Sequence, residues 1–218
     1  MPKFIDLSHV IQDGMITYQG LPGPKICDHL SREDSKQHYA EGTTFQIGKI
    51  EMVANTGTYI DAPFHRYKAG KDLSQLDTAS VANLDGVVFH ADAGTLSIQP
   101  DLFEGNDVRG RAVLIHTGWD RRWGTELYFK DHPYLTRESG EYLKSRGSAL
   151  VGIDSLNIDD NTDGTRPAHT ILLSSGIPIV EHLCNLDALP NTGFKFFAVP
   201  APVKGMGSFP VRAFAIID

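Results

Sequence analysis

Short β-rich runs recur along the chain, at Lys3 to Leu7, Thr44 to Val53, Val87 to Ala91, Arg111 to Thr117, Ala149 to Ile153, Ile177 to Val180, Phe194 to Val199 and Val211 to Ile217. Against them stand only two stretches punctuated like helices. One is Leu135 to Arg146, with Thr136 as N-cap and Gly147 as the stop; the other is Pro167 to Ser175, with Pro167 in the first turn and Gly176 after the end. Strands and helices alternate in the later half, while the first half is mainly strand and loop. That order predicts a mixed α/β fold rather than a doubly wound sheet. No internal repeat, charge block or low-complexity linker divides the 218 residues, so a single domain over 1–218 is expected. The stretch Gly14 to Gly42 exceeds ordinary connection lengths and reads as irregular chain, serving as a lid or an oligomer-forming arm.

Charge narrows the partners. With 20 basic and 27 acidic residues the formal net charge is -7, which leaves no electrostatic footprint for nucleic acid or an anionic membrane. No apolar run approaches the roughly 20 residues of a membrane-spanning helix. Cys27 and Cys184 have no CxxC spacing, which fits a reducing, cytoplasmic setting, and both read as small buried hydrophobes.

The stretch Asn55 to His65 reads NTGTYIDAPFH. In an extended segment, alternate positions Asn55, Gly57, Tyr59, Asp61, Pro63 and His65 share one face. A carboxylate and an imidazole on a buried sheet face need a partner or a ligand. Pro63 cannot donate to a central ladder, so the chain is expected to leave the sheet near it. Farther on, RPAHTILLSSGIPIVEHLCNL sets His169 near the start of the short helix and Glu181 at the end of the following β-run, where helix, turn and strand can bring them together. His182 is expected on the opposite strand face. The run DDNTDG at Asp159 to Gly164 lacks the terminal glutamate of a calcium loop and reads as a solvated turn. Arg66, Lys68 and Arg166 are candidates to receive a substrate carboxylate, and Tyr18, Phe64, Trp119 and Phe209 are candidate walls for an aromatic substrate.

NTGTYIDAPFH resembles the HxGTHxDxPxH signature of the cyclase family of metal-dependent hydrolases, the group that includes bacterial kynurenine formamidase and isatin hydrolase. The segments FIDLSH, HTGWDRRWGTELYFKDHPYLT, ALVGIDSLNID and KGMGSFPVRAFAI also look like family segments, so the resemblance spans nearly the whole chain. It implies the family's swivelling β/β/α fold, a mixed sheet with flanking helices. It also implies a hydrolase that cleaves an amide, lactam or lactone bond of a small cyclic or aromatic acyl substrate.

The resemblance assigns site residues too. In dinuclear members two histidines of the first motif and its aspartate hold one metal, and Asn55 and Tyr59 stand where those histidines would be. An amide and a phenol are poor zinc donors. The second set keeps Asp61, His169 and Glu181, suited to one zinc or manganese, and no organic cofactor is expected. A metal there would lower the pKa of water from 15.7 to roughly 7. His65 matches the family's catalytic histidine, which takes the water proton and returns it to the leaving group. In a metal-free variant, Tyr59 donates to the developing oxyanion, His65 activates water and Asp61 orients its ring. Asn55, Phe64, Arg66, Trp119 and Arg166 are the expected substrate-binding residues, and a second copy of the chain is an expected partner. The rival readings are a metal-independent lyase or isomerase on the same pocket and a non-catalytic small-molecule binding protein.

Overall fold

In the computed structural model, which describes residues 1–217, the chain runs through β1 (Lys3–Asp6), β2 (Lys25–Leu30), α1 (Arg32–Ser35), β3 (Ile47–Glu51), β4 (Tyr59–Asp61), β5 (Leu84–His90) and β6 (Ser97–Ile98). It continues through β7 (Ala112–His116), β8 (Tyr134–Leu135), α2 (Arg137–Arg146), β9 (Leu150–Ile153), α3 (Pro167–Ser174), β10 (Ile179–Glu181), β11 (Thr192–Phe197), β12 (Ser208–Pro210) and β13 (Phe214–Ile217). Nine strands form one mixed sheet in the order β1-β13-β11-β5-β7-β9-β10-β4-β12. Its centre, β5 to β10, is parallel and its flanks are antiparallel. The α/β class follows the order of runs in the sequence.

The apolar runs of β7 and β9 are buried on both faces, as parallel strands covered on two sides must be. Alternate residues feed two cores. Ile60, Leu114, Val180 and Phe196 pack on one side of the sheet. Val113, Ile115, Val151 and Ile179 pack on the other, against Leu143 of α2 and Ala168 and Leu172 of α3. Both long helices carry their expected punctuation. The Thr136 hydroxyl accepts from Ser139 N, Gly147 closes α2 with φ +76°, and Pro167 opens α3.

Three expectations are corrected. Gly14 to Gly42 is not simply irregular: it holds β2 and α1, and β2 pairs with β3 in a hairpin outside the main sheet. Cys27, on that hairpin, is exposed rather than buried, whereas Cys184 is buried and its thiol is pushed up to about 12 by burial. Finally, the face shared from Asn55 to His65 is broken on both sides of β4. Gly57 turns at φ +65°, and Pro63–His65 forms a 3-10 turn as the chain leaves the sheet. No helix among the described residues is long and apolar enough to cross a membrane.

Candidate active site

β4 lies between β10 and β12, and its register sets Glu181 opposite Tyr59 and Ser208 opposite Asp61. Ile60 points into one core, so Tyr59 and Asp61 face the other side of the sheet, where α3 brings His169. The 3-10 turn that starts at Pro63 folds His65 back over this row. A Cβ on Gly207 would stand 2.4 Å from both Cα and N of His65, so only glycine permits this approach of the two backbones.

Two hydrogen-bond chains organise the side chains. Tyr59 donates its hydroxyl to Glu181 Oε2 at 2.5 Å, and the backbone N–H of Ile158 donates to Glu181 Oε1 at 2.7 Å. The Ser208 hydroxyl donates to Asp61 Oδ1 and lies 2.8 Å from His65 Nδ1. A hydroxyl has one hydrogen, so with it committed to the carboxylate, His65 Nδ1–H donates to Ser208 Oγ. Nε2 of His65 then keeps its lone pair, on a side chain 36% exposed. In the loop before α3, buried Asp159 accepts from the backbone N–H groups of Ala168 and His169 and from His169 Nδ1 at 2.6 Å. That fixes the His169 tautomer and turns Nε2 toward Asp61 Oδ2 at 3.5 Å and Glu181 Oε1 at 3.7 Å.

Fully buried carboxylates dominate the electrostatics. Burial raises Glu181 to about 7, with the charge of Asp61 adding to it and that of His169 opposing. Burial works upward on Asp61 as well, but the nearby His169 and His65 imidazoles and the Ser208 hydroxyl outweigh it and hold this carboxyl below its usual range. For His169, burial is overcome by Glu181, Asp159 and Asp61, which raise it to about 10. The Tyr59 phenol is pushed well above its usual value by burial and by Glu181 and Asp61, so it stays a neutral donor.

This cluster is built to take a cation. Asp61 Oδ2 is buried without any hydrogen-bond partner. Ligands bound at roughly 2.0–2.2 Å on tetrahedral corners are roughly 3.3–3.6 Å apart. Of the separations around His169 Nε2, 3.5 Å falls in that range and 3.7 Å lies just above it, and both are longer than an N–H···O hydrogen bond. Asp61, His65 and His169 also offer ligand atoms all within 4.8 Å of one another. The residues present therefore fit one divalent metal. Tyr59 engages Glu181 Oε2, while Glu181 Oε1 faces His169 Nε2.

A cavity of about 320 Å³ opens over the cluster. Asn55, Tyr59, His65, Arg66 and Arg166 line it, as do His169 and Glu181, with Tyr18 and Leu21 from the segment before β2. Phe64, Lys68, Trp119 and Phe209 are not in its wall. The Trp119 indole is buried against Tyr128 and Leu156 and donates to Tyr128 O at 2.9 Å, and Phe209 packs on the core. Asp61 is linked to His65 through Ser208, a residue that sequence reading passed over, as it did Gly207. Asp159, assigned to a solvated turn, is buried instead. Its signal was an acid shortly before a proline-led helix that carries a histidine.

The family described as putative cyclase matches residues 5–160. A kynurenine formamidase of Geobacillus thermodenitrificans (strain NG80-2) is 34% identical over 215 residues, covering 98% of this chain and 97% of that protein. Among solved structures, isatin hydrolase A from Labrenzia aggregata superposes with a TM-score of 0.83 at 20% identity, over 99% of this chain and 94% of that one. A protein described as a potential metal-dependent hydrolase with cyclase activity superposes with a TM-score of 0.82 at 23% identity, over 100% of this chain and 99% of that one.

Proposed function

The chain belongs to the cyclase family, and on that premise we propose that it hydrolyses the amide bond of a small aromatic or cyclic acyl compound, as a kynurenine formamidase-like enzyme. The observation that carries the mechanism is the chain Asp61–Ser208–His65, which leaves His65 Nε2 as a free base beside the cation-binding cluster. Asp61, His169 and Glu181 would hold one zinc or manganese, and Asp159 orients His169 for it. Such a cation supplies Lewis acidity, polarising a carbonyl and acidifying water. His65 Nε2 takes the proton of the attacking water while the water oxygen bonds to the carbonyl carbon. As the C–N bond breaks, the same imidazole returns that proton to the departing nitrogen. Ser208 and Asp61 hold the ring through both transfers. Tyr59 stays neutral with its one hydrogen committed to Glu181, so it holds that carboxylate in place and does not serve the oxyanion role expected of it.

The reading includes a cytoplasmic homo-oligomer. Every residue of strands β2 and β3 except Leu30 is exposed, among them Ile26, Ile47 and Ile50, and an isolated hairpin needs a packing partner for stability. The test is hydrolysis of formanilides with and without added Mn(II) or Zn(II). His65→Gln is expected to lower kcat by roughly 10²-fold to 10⁴-fold with folding intact. An unchanged kcat would remove His65 from the chemistry.

A further inference from the structure

Arg66 directly follows His65, and Arg166 precedes His169 by one helical turn, so each candidate imidazole carries a guanidinium beside it on the cavity wall. Two arginines elsewhere are matched by acids, Arg212 by Asp6 and Arg121 by Asp187. The two cavity arginines meet only neutral acceptors. Arg166 Nη1 donates to Asn161 Oδ1 at 2.7 Å and to the Asp160 carbonyl at 3.2 Å, and Arg66 Nε is 3.4 Å from Thr170 Oγ1. Among the described residues no carboxylate closes an ion pair with either, in a chain whose net charge is -7. Arg166 is also held in a left-handed backbone conformation, φ +48°, as the N-cap of α3. Such strain is kept where the surroundings fix it, and here it belongs to a residue that lines the cavity. Tyr18 and Leu21 add apolar wall to the same cavity.

We infer that Arg66 and Arg166 form an anion subsite, so that the substrate is an aryl or cyclic amide bearing a carboxylate, which the guanidinium pair grips while the amide lies over His65. The inference rests on the hydrolase reading for the word substrate, but the anion site stands on its own. A planar fork suits a carboxylate because two parallel N–H donors meet its two oxygens.

The experiment compares N-formylanthranilate with formanilide, which differ only by the carboxylate. Wild type should prefer the former. In Arg166→Gln and Arg66→Gln the ratio of their kcat/KM values is expected to fall by roughly 10-fold to 100-fold, chiefly through KM, the scale of a lost charge-assisted hydrogen bond. Arg166→Lys, which keeps the charge without the fork, should recover part of the ratio. A ratio unmoved in the folded double Arg66→Gln, Arg166→Gln variant overturns the subsite. If wild type cleaves neither compound, the hydrolase reading fails, and the subsite is judged by calorimetry with benzoate and benzamide. Benzoate binding that is lost in the double variant supports it, and equal binding by both proteins overturns it.

Discussion

The hydroxyl of Ser208 has a single hydrogen and lies between a buried carboxylate and an imidazole, so the direction of its bond sets the tautomer of the base. While Asp61 accepts that hydrogen, His65 must place its own proton on Nδ1 and leave Nε2 free for water. Removing the hydroxyl leaves Asp61 Oδ1 without its donor and frees the ring to choose the other tautomer. Ser208→Ala is therefore expected to lower kcat by roughly 10-fold to 100-fold while KM changes little, the scale seen when a partner that orients a functional histidine is lost. Ser208→Thr, which keeps the hydroxyl, should retain most of the rate. Steady-state kinetics on folded variants decide this, and an undiminished Ser208→Ala would mean that Asp61 reaches His65 directly, across the present 3.6 Å.

At the scale of elements, the three short strands β10, β4 and β12 form the ladder on which the site is written. Because Tyr59 stands directly opposite Glu181 on the face that carries Asp61, an imidazole at position 59 would point into the same space. Asn55→His with Tyr59→His should therefore raise the zinc stoichiometry above that of the native chain, since two imidazoles and the Asp61 carboxylate restore a recognisable zinc ligand set. Equal stoichiometry by calorimetry, with folding checked in both proteins, would mean that position 59 does not present its side chain as the ladder implies, or position 55 as its place in the cavity wall implies.

The same ladder explains how far the sequence could be read. The long parallel strands and both main helices were legible because apolar runs and capping residues are local signals. Asp61 and His65 were legible because polar groups stood where a buried face was expected, and His169 and Glu181 because their segment resembles the family's. Ser208 and Asp159 were not, since each acts through a partner that only the tertiary structure supplies: Ser208 comes from a strand 147 residues beyond Asp61. β2 was hidden in a polar, glycine-rich stretch without clean alternation. For Trp119 and Phe64 residue type alone points to a cavity wall, and residue type carries no information about which side of a wall a ring faces.

For the molecule as a whole, two imidazoles outside the proposed chemistry set a response to acid. The His9 ring stacks on Trp123 with centroids 3.9 Å apart, and its Nε2 is buried without a partner. His182 is fully buried, with Nδ1 2.8 Å from the Tyr128 hydroxyl and Nε2 likewise unpartnered. Burial lowers His9 to about 4, and burial together with the charge of His9 lowers His182 to about 3. Both values lie below the ordinary value of 6.5, so the unfolded chain takes up these protons first as pH falls. Their contribution to stability is fully present above about pH 6.5 and declines as pH drops toward 4 and 3. At pH 5 it has fallen by about 2 kcal/mol for each imidazole. Glu181 and Asp154, both raised to about 7 by burial, titrate in the opposite sense, so the net slope of the native protein alone does not isolate the histidines. A difference measurement does. His9→Phe keeps the stack on Trp123 and removes the proton-binding nitrogen, so its stability relative to the native chain should improve by about 2 kcal/mol between pH 7.5 and pH 5. Urea unfolding at the two pH values measures this directly, and a difference that stays constant with pH would show that His9 titrates in the folded protein as it does in the unfolded chain.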